Sequence, residues 1–98
     1  MAIFSRHTTT SIGINENEPR IVKDYEDVLE KLVPKSVGYR HDSIDSNAHA
    51  HIKSLLLGAG EIVPIEDGRL CLGTWQSIFF IELDGPRMRT VMVKVIGE

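Results

Sequence analysis

The apolar side chains of this chain are most regularly spaced in the stretch before Pro34. Seven of them recur at the spacing of one helix face, at Ile21, Val22, Tyr25, Val28, Leu29, Leu32 and Val33. Asn17 or Glu18 is expected to lie near the N-cap, with Pro19 in the first turn, and Pro34 ends the pattern. This stretch therefore predicts an amphipathic helix.

A second, shorter helix is predicted over Ala48–Leu57. Ser46 or Asn47 is expected to cap it, and Gly58 is expected to stop it. Between the two helices the sequence has no apolar period and consists mainly of residues that favour loops.

The other apolar stretches are typical of strands. They comprise residues 2–6, the alternation Ser11–Ile14, Glu61–Ile65, Leu70–Leu72, Thr74–Leu83 and Met88–Ile96. The polar turn at residues 84–87 predicts that the last two strands form a hairpin. The order of strands and helices predicts one α+β domain over residues 1–98. We expect a mostly antiparallel sheet, curled toward a barrel or sandwich, with two outer helices.

The amino-acid composition bears on which binding partners and which cellular compartment to expect. The net charge of -3 gives no electrostatic reason to expect nucleic acid or an anionic membrane. No apolar run approaches the roughly 20 residues that span a bilayer. The single cysteine, Cys71, fits a reducing compartment, so a cytoplasmic location is expected. Cys71 lies between two leucines and is predicted to be buried and inert.

Histidines suggest the first candidate site. His49 and His51 form an H-x-H pair, but on a helix their rings lie roughly 200° apart, so one of them faces inward. We therefore consider a composite site of His7, His41 and His51. Three imidazoles with one open position are typical of a catalytic or anion-binding zinc site. The alternative is that these rings lie singly at the surface or cap loops.

Arg87 suggests an anion site. A guanidinium held in the turn beside Pro86 could bind a phosphate or carboxylate through two hydrogen bonds, or it could simply be solvated. Thr8, Thr9 and the free amides of the helix that starts near Asn47 could add donors for the same anion.

Two carboxylates, one tryptophan and one glutamine each remain open to two interpretations. Glu82 and Asp84 could hold a divalent cation or merely flank the turn arginine. Trp75 and Gln76 could face a ligand, although a strand tryptophan more often packs in the core.

Seven segments of the chain resemble the YjbQ-type family, described as secondary thiamine-phosphate synthases. These segments are HTT at His7–Thr9, INEN at Ile14–Asn17, YRH at Tyr39–His41, DSNAHAHIK at Asp45–Lys53, LLLG at Leu55–Gly58, GRLCLGTWQ at Gly68–Gln76 and ELDGPRMR at Glu82–Arg89. The resemblance implies a β-rich homotrimer. It also implies a cleft near the subunit boundary, formed by His7, Thr8, Thr9, His41, Asn47, His51, Trp75, Gln76 and Arg87.

The function implied by this resemblance is a transferase. It would join hydroxymethylpyrimidine pyrophosphate to thiazole phosphate and release pyrophosphate. Arg87, Thr8 and Thr9 would hold phosphate oxygens, and the three histidines would bind zinc or magnesium or donate protons. Two alternatives are kept: a metal-dependent enzyme acting on another small phosphorylated compound, and a non-enzymatic trimeric binding protein.

One departure from the family affects the expected fold. Family members usually continue ahead of the HTT segment with strands for which this chain has no counterpart. We therefore expect open sheet edges, which favour pairing with another chain.

Overall fold

Two helices and seven short strands make up the fold in a computed structural model, which describes residues 1–97. The helices are α1 (Pro19–Leu32) and α2 (Ala48–Leu57), and one turn of 3-10 helix covers Arg40–Ser43. The strands are β1 (Ala2–Ser5), β2 (Thr10–Asn15), β3 (Gly60–Ile62), β4 (Ile65–Glu66), β5 (Arg69–Leu70), β6 (Ser77–Glu82) and β7 (Val91–Lys94).

The strands form three antiparallel groups. One sheet has the order β3-β1-β7, a second pairs β2 with β6, and a small hairpin pairs β4 with β5. The predicted α+β class with antiparallel strands and two helices is therefore confirmed. Within residues 1–97 the sheets curl without closing into a barrel.

The predicted hairpin between the last two long strands is wrong. Strand β6 pairs with β2, where Phe79 lies opposite Gly13, and β7 pairs with β1, where Val91 lies opposite Ser5. The turn at residues 84–87 therefore carries the chain from one sheet to the other. Apolar alternation cannot distinguish these arrangements, because it reports the buried face of a strand and not its neighbour.

Both predicted helices are confirmed. In α1 the carboxylate of Glu18 accepts hydrogen bonds from the amides of Arg20 (2.6 Å) and Ile21 (2.8 Å). In α2 Asn47 occupies the N-cap position without a side-chain cap bond. The cap is supplied instead by Asp42, whose Oδ1 accepts from the Ala48 amide at 3.1 Å.

Buried hydroxyl groups hold α2 against β2. Ser54 Oγ donates to the Thr10 carbonyl at 2.5 Å, and Ser11 Oγ donates to the Gly58 carbonyl at 2.6 Å. All four residues except Gly58 are buried. The fully buried residues Ile12 and Ala50 lie in the same two elements, so the N-terminus of α2 has a fixed position relative to the sheet.

The small β4–β5 hairpin corrects one further prediction. Cys71 directly follows β5 and is exposed, whereas the sequence predicted burial. Within residues 1–97 the two-residue strands pair with each other and with no larger sheet, so the flanking leucines do not bring Cys71 into a core. No helix within the described residues is long and apolar enough to cross a bilayer.

Candidate functional site

Two of the predicted histidines meet at the start of α2. The ring centroids of His41 and His51 are 4.9 Å apart, with the ring planes at 83°. The 3-10 turn supplies His41, and the first turns of α2 supply His51. Both rings line a cavity of about 560 Å³, together with Gly38, Tyr39, Arg40, Ala48 and Ile52. We call this cavity the histidine cleft.

A hydrogen-bonded chain of three side chains orients His41. Its Nε2 lies 3.1 Å from Asn47 Oδ1, and Asn47 Nδ2 donates to Asp84 Oδ2 at 2.9 Å. The Asp84 carboxylate can only accept, so the amide nitrogen of Asn47 faces it and the amide oxygen faces His41. The neutral His41 ring therefore carries its proton on Nε2, and Nδ1 is left as the basic nitrogen. The Asn47 amide also holds the pKa of Asp84 below its usual value.

Arg87 binds Asp84, the last member of this hydrogen-bonded chain. Its Nη2 donates to Asp84 Oδ2 at 3.1 Å, and its Nε donates to the Asp84 carbonyl at 2.8 Å. These two donors are thus directed at Asp84, and Arg87 does not line the cleft. The cation that does line the cleft is Arg40, which the sequence analysis missed although it directly precedes His41.

A second polar cluster lies beside the first, on the far end of β6. Arg89 Nε donates to Glu82 Oε1 at 2.8 Å, and Arg89 Nη2 donates to both Glu82 Oε2 (2.7 Å) and Thr9 Oγ1 (2.8 Å). The bonds from Arg89 are the main reason that the pKa of Glu82 is lowered to about 2. Thr9, a predicted phosphate donor, instead accepts a hydrogen bond here. Arg89 was not predicted, although its charge complements Glu82 across the turn.

His7 and Thr8 lie apart from the histidine cleft. His7 Nε2 accepts a hydrogen bond from the Thr90 amide at 3.1 Å, which ties it to the segment before β7. Thr8 is exposed and contributes no side-chain hydrogen bond to that contact.

The predicted zinc or magnesium site has few of its ligands in place. Within residues 1–97 no group of three histidine, cysteine or acidic side chains is close enough to hold a metal ion. A catalytic zinc needs three protein ligands, and in the described part of the chain His41 and His51 are the only candidate ligands that meet. The carboxylates of Glu82 and Asp84 are each paired with an arginine rather than free for magnesium. The donor set of one chain thus does not fit either ion, and metal binding stays a prediction.

Trp75 and Gln76 lie in the loop before β6. Trp75 is 73% exposed, so of its two interpretations the packing in the core is wrong. Gln76 Oε1 accepts from the Gly73 amide at 2.8 Å and closes the loop on itself. Neither residue lines the histidine cleft.

The two members of the H-x-H pair have different surroundings, as helix geometry predicts. His51 lines the cleft, whereas His49 Nδ1 is buried without a hydrogen-bond partner among the described residues. Burial lowers the pKa of His49, and the ammonium groups of Lys53 and Lys35 lower it further. Both effects favour the neutral form of the His49 ring.

The fold and the cleft define a small α+β protein with two neighbouring imidazoles, one of which is oriented by an amide and a carboxylate. A family model described as UPF0047 protein YjbQ-like matches residues 1–98. The chain belongs to this family.

Curated relatives agree with this assignment. A UPF0047 protein of Methanothermobacter thermautotrophicus is 52% identical over 96 residues, covering 98% of this chain and 67% of the relative. The UPF0047 protein YugU of Bacillus subtilis is 42% identical over 99 residues, covering 97% of this chain and 72% of the relative. The chain thus spans about two thirds to three quarters of these relatives.

The fold also matches a solved structure. A protein of Clostridium acetobutylicum, described as an uncharacterized conserved protein of the yjbq/upf0047 family, superimposes with a TM-score of 0.91 at 48% identity. The match covers 97% of this chain and 73% of that one.

These comparisons correct the predicted reaction. The matching family and its curated members are described as UPF0047 proteins, and the solved relative is described as uncharacterized. None of these descriptions contains thiamine-phosphate synthase activity. The prediction of that activity is therefore wrong, while the predicted family is confirmed.

Proposed function

We propose that this chain binds a small phosphorylated compound in the histidine cleft and acts on it by proton transfer from the paired imidazoles. The observation that carries the proposal is the meeting of His41 and His51 at 4.9 Å over a cavity that Arg40 also lines. Imidazole is the side chain whose charge changes between about pH 5 and 8, so this pair suits acid–base chemistry.

The charges around the cleft favour an anion. Arg40 carries a permanent positive charge, and each imidazole adds another when it is protonated. The cleft also adjoins the N-terminus of α2, where the partial positive charge of the helix favours a phosphate. None of the described residues that line the cleft is a carboxylate, so a phosphate would meet no like charge among them.

The chain from Asp84 to His41 supports the catalytic part of the proposal. Asp84 holds Asn47, and Asn47 holds the Nε2 side of His41, so Nδ1 is the nitrogen available to exchange a proton. An ionised His41 would pass that proton to the leaving oxygen as its bond to phosphorus breaks, while a water molecule forms the new bond to phosphorus and gives up a proton. His51, in edge contact with His41, would receive or relay a proton in the reverse direction.

A titration with inorganic phosphate tests the binding step. We expect phosphorus NMR to show binding that strengthens as the pH falls through the range in which imidazoles protonate. Replacing His51→Gln or Arg40→Gln should weaken it on the order of tenfold, the loss expected for one hydrogen bond to a charged group.

His7→Gln is the matched control, because His7 is bound to Thr90 and lies outside the cleft. Phosphate affinity unchanged in His7→Gln and reduced in His51→Gln would support the proposal. Equal affinity in all variants would overturn it. Turnover is then sought by phosphorus NMR with a panel of phosphorylated metabolites, comparing the parent chain with His41→Gln.

Self-association as a homotrimer, in the cytoplasm, is part of the same proposal. Strand β7 has one hydrogen-bonded neighbour within the described residues, and Met92, Val93 and Val95 on or beside it are exposed. Such an edge favours pairing with another chain. Light scattering distinguishes a trimer from a monomer, and a monomer at working concentration would refute this part.

A further inference from the structure

Part of the lining of the histidine cleft is apolar. Gly38, Ala48 and Ile52 have no polar side-chain atom, and Tyr39 contributes an aromatic ring. Ala48 and Ile52 lie four residues apart on α2, so their side chains share one face of the helix, and His51 lies on the same face. The cleft therefore places apolar side chains beside the two imidazoles.

The ring of Tyr39 is tied to the loop that precedes it. Tyr39 Oη donates a hydrogen bond to the Pro34 carbonyl at 2.8 Å. Between these two residues the backbone adopts a left-handed conformation twice, at Ser36 with a φ of 58° and at Gly38 with a φ of 93°. Pro34 does not line the cleft, so the hydroxyl hydrogen is used outside it. What Tyr39 offers a ligand is therefore chiefly its ring.

The cleft is poor in side chains that bind the hydroxyl groups of a sugar. Proteins bind such groups mainly with carboxylate, amide and hydroxyl side chains. Among the described residues that line the cleft there is no aspartate, glutamate, asparagine, glutamine, serine or threonine. The hydroxyl hydrogen of Tyr39 is already donated to Pro34. A polyhydroxylated compound would therefore lose hydrogen bonds to water without gaining enough new ones, which weakens binding.

The volume of the cleft exceeds what a phosphate group alone requires. It is about 560 Å³, a size typical of pockets that hold larger organic ligands. A phosphate bound by Arg40 and His51 would leave room beside Tyr39 and Ile52. An apolar group in that room would be stabilised, because both the group and the side chains that it covers are removed from water.

We infer that the compound bound in the histidine cleft is a phosphate ester of an apolar alcohol, and that Tyr39 is the residue that determines this specificity. The inference rests on the proposed function, because it requires that the phosphate be held by Arg40 and the imidazoles. The apolar group of the ester then packs against Tyr39 and Ile52. Sugar phosphates and inorganic phosphate bind more weakly, because they bury no apolar group there.

The test compares benzyl phosphate with glycerol phosphate and inorganic phosphate. Both esters derive from primary alcohols and carry nearly the same charge, but the body of one is apolar and that of the other is hydroxylated. Affinities are measured by phosphorus NMR titration at one pH. We expect benzyl phosphate to bind about tenfold more tightly than either of the other two, the effect of partly burying one aromatic ring.

Tyr39→Ala is the decisive variant. It should bind benzyl phosphate about tenfold more weakly and inorganic phosphate within about twofold of the parent chain, because it removes only the apolar contact. Tyr39→Phe keeps the ring and should keep the preference for benzyl phosphate. Val37→Ala is the matched control, since Val37 is an exposed apolar residue of the same loop and does not line the cleft. If Tyr39→Ala does not fold, nuclear Overhauser contacts from the benzyl ring to Tyr39 or Ile52 in the parent chain decide the question.

Two results would overturn this inference while phosphate binding stands. In the first, the parent chain binds glycerol phosphate or inorganic phosphate as tightly as benzyl phosphate. In the second, Tyr39→Ala loses affinity for benzyl phosphate and inorganic phosphate to the same extent, which assigns Tyr39 a structural role only. If the parent chain binds none of the three compounds, the proposed function is overturned and this inference with it.

Discussion

The ion pair between Glu82 and Arg89 predicts a specific loss of stability in acid. Two hydrogen bonds from Arg89, at 2.7 and 2.8 Å, lower the pKa of Glu82 from 4.5 to about 2. The ionised form is thus favoured by folding. Its contribution is fully present above pH 4.5 and is lost as the pH falls through about 2.

The magnitude follows from the same shift. A change of this size corresponds to at most roughly 3–4 kcal/mol, since one pKa unit is about 1.4 kcal/mol. Arg89 is nearly buried, but the Glu82 side chain keeps 28% of its exposure, so solvent screens part of the interaction. We therefore expect a contribution on the order of 1 kcal/mol to the free energy of unfolding.

Urea denaturation of the parent chain and Glu82→Gln, at neutral pH and at several values between 4.5 and 2, measures this contribution. The variant should be less stable by about 1 kcal/mol at neutral pH, and the difference should vanish as the pH approaches 2. Glu66→Gln is the control, because Glu66 is exposed and forms no ion pair within the described residues. A difference independent of pH would refute the reasoning.

Three further changes test the fold and the site. Asp84→Asn should release the amide that orients His41, and nitrogen NMR of the ring should then show a mixture of tautomers in place of the Nε2-protonated form; an unchanged ring would contradict this. Ile12→Ala should lower the free energy of unfolding by about 2–4 kcal/mol because Ile12 is fully buried, whereas Ile44→Ala, at an 85% exposed position, should change it little. Gly60→Ala should cost about 1–3 kcal/mol in the same assay, since a Cβ there would lie 2.7 Å from a backbone carbonyl oxygen; wild-type stability would refute this contact.

The helices could be predicted from sequence because their signals are local. Pro19 at the start of α1 and Pro34 beyond its end act on neighbouring backbone, and Gly58 ends α2 with a φ of 96°. The cap of α2 was less predictable. Asp42 supplies it from six residues upstream, where the 3-10 turn brings its carboxylate back to the helix.

Strand partners could not be predicted in the same way. Strand β6 pairs with β2 from more than 60 residues earlier in the chain, and the nearer β7 pairs with β1. A turn sequence indicates a change of direction but not which strand lies beside it afterwards. The exposure of Trp75 has a related cause, because β6 begins only at Ser77 and leaves the tryptophan in the loop.

Predicting the histidine cleft requires both the local helix signals and the long-range pairing of strands. His41, Asn47 and His51 come from one continuous segment, and their proximity follows from the 3-10 turn and the start of α2. The carboxylate that orients Asn47, and through it His41, is Asp84, 37 residues from Asn47. The pairing of β6 with β2 places Asp84 beside Asn47. This pairing joins distant parts of the chain, so a local sequence pattern does not predict it.

The same long-range pairing explains why the sequence predicted that Arg87 binds an anion. Considered only as a turn residue, Arg87 has a free guanidinium group, which is suited to an anion. In the fold, the turn lies against α2, and Asp84 receives both Asn47 and Arg87. The hydrogen bond from the Asn47 amide favours the ionised form of Asp84, and the neighbouring Arg87 guanidinium favours it further. Arg87 therefore acts on the cleft through Asp84, and the positive charge available to a ligand is that of Arg40.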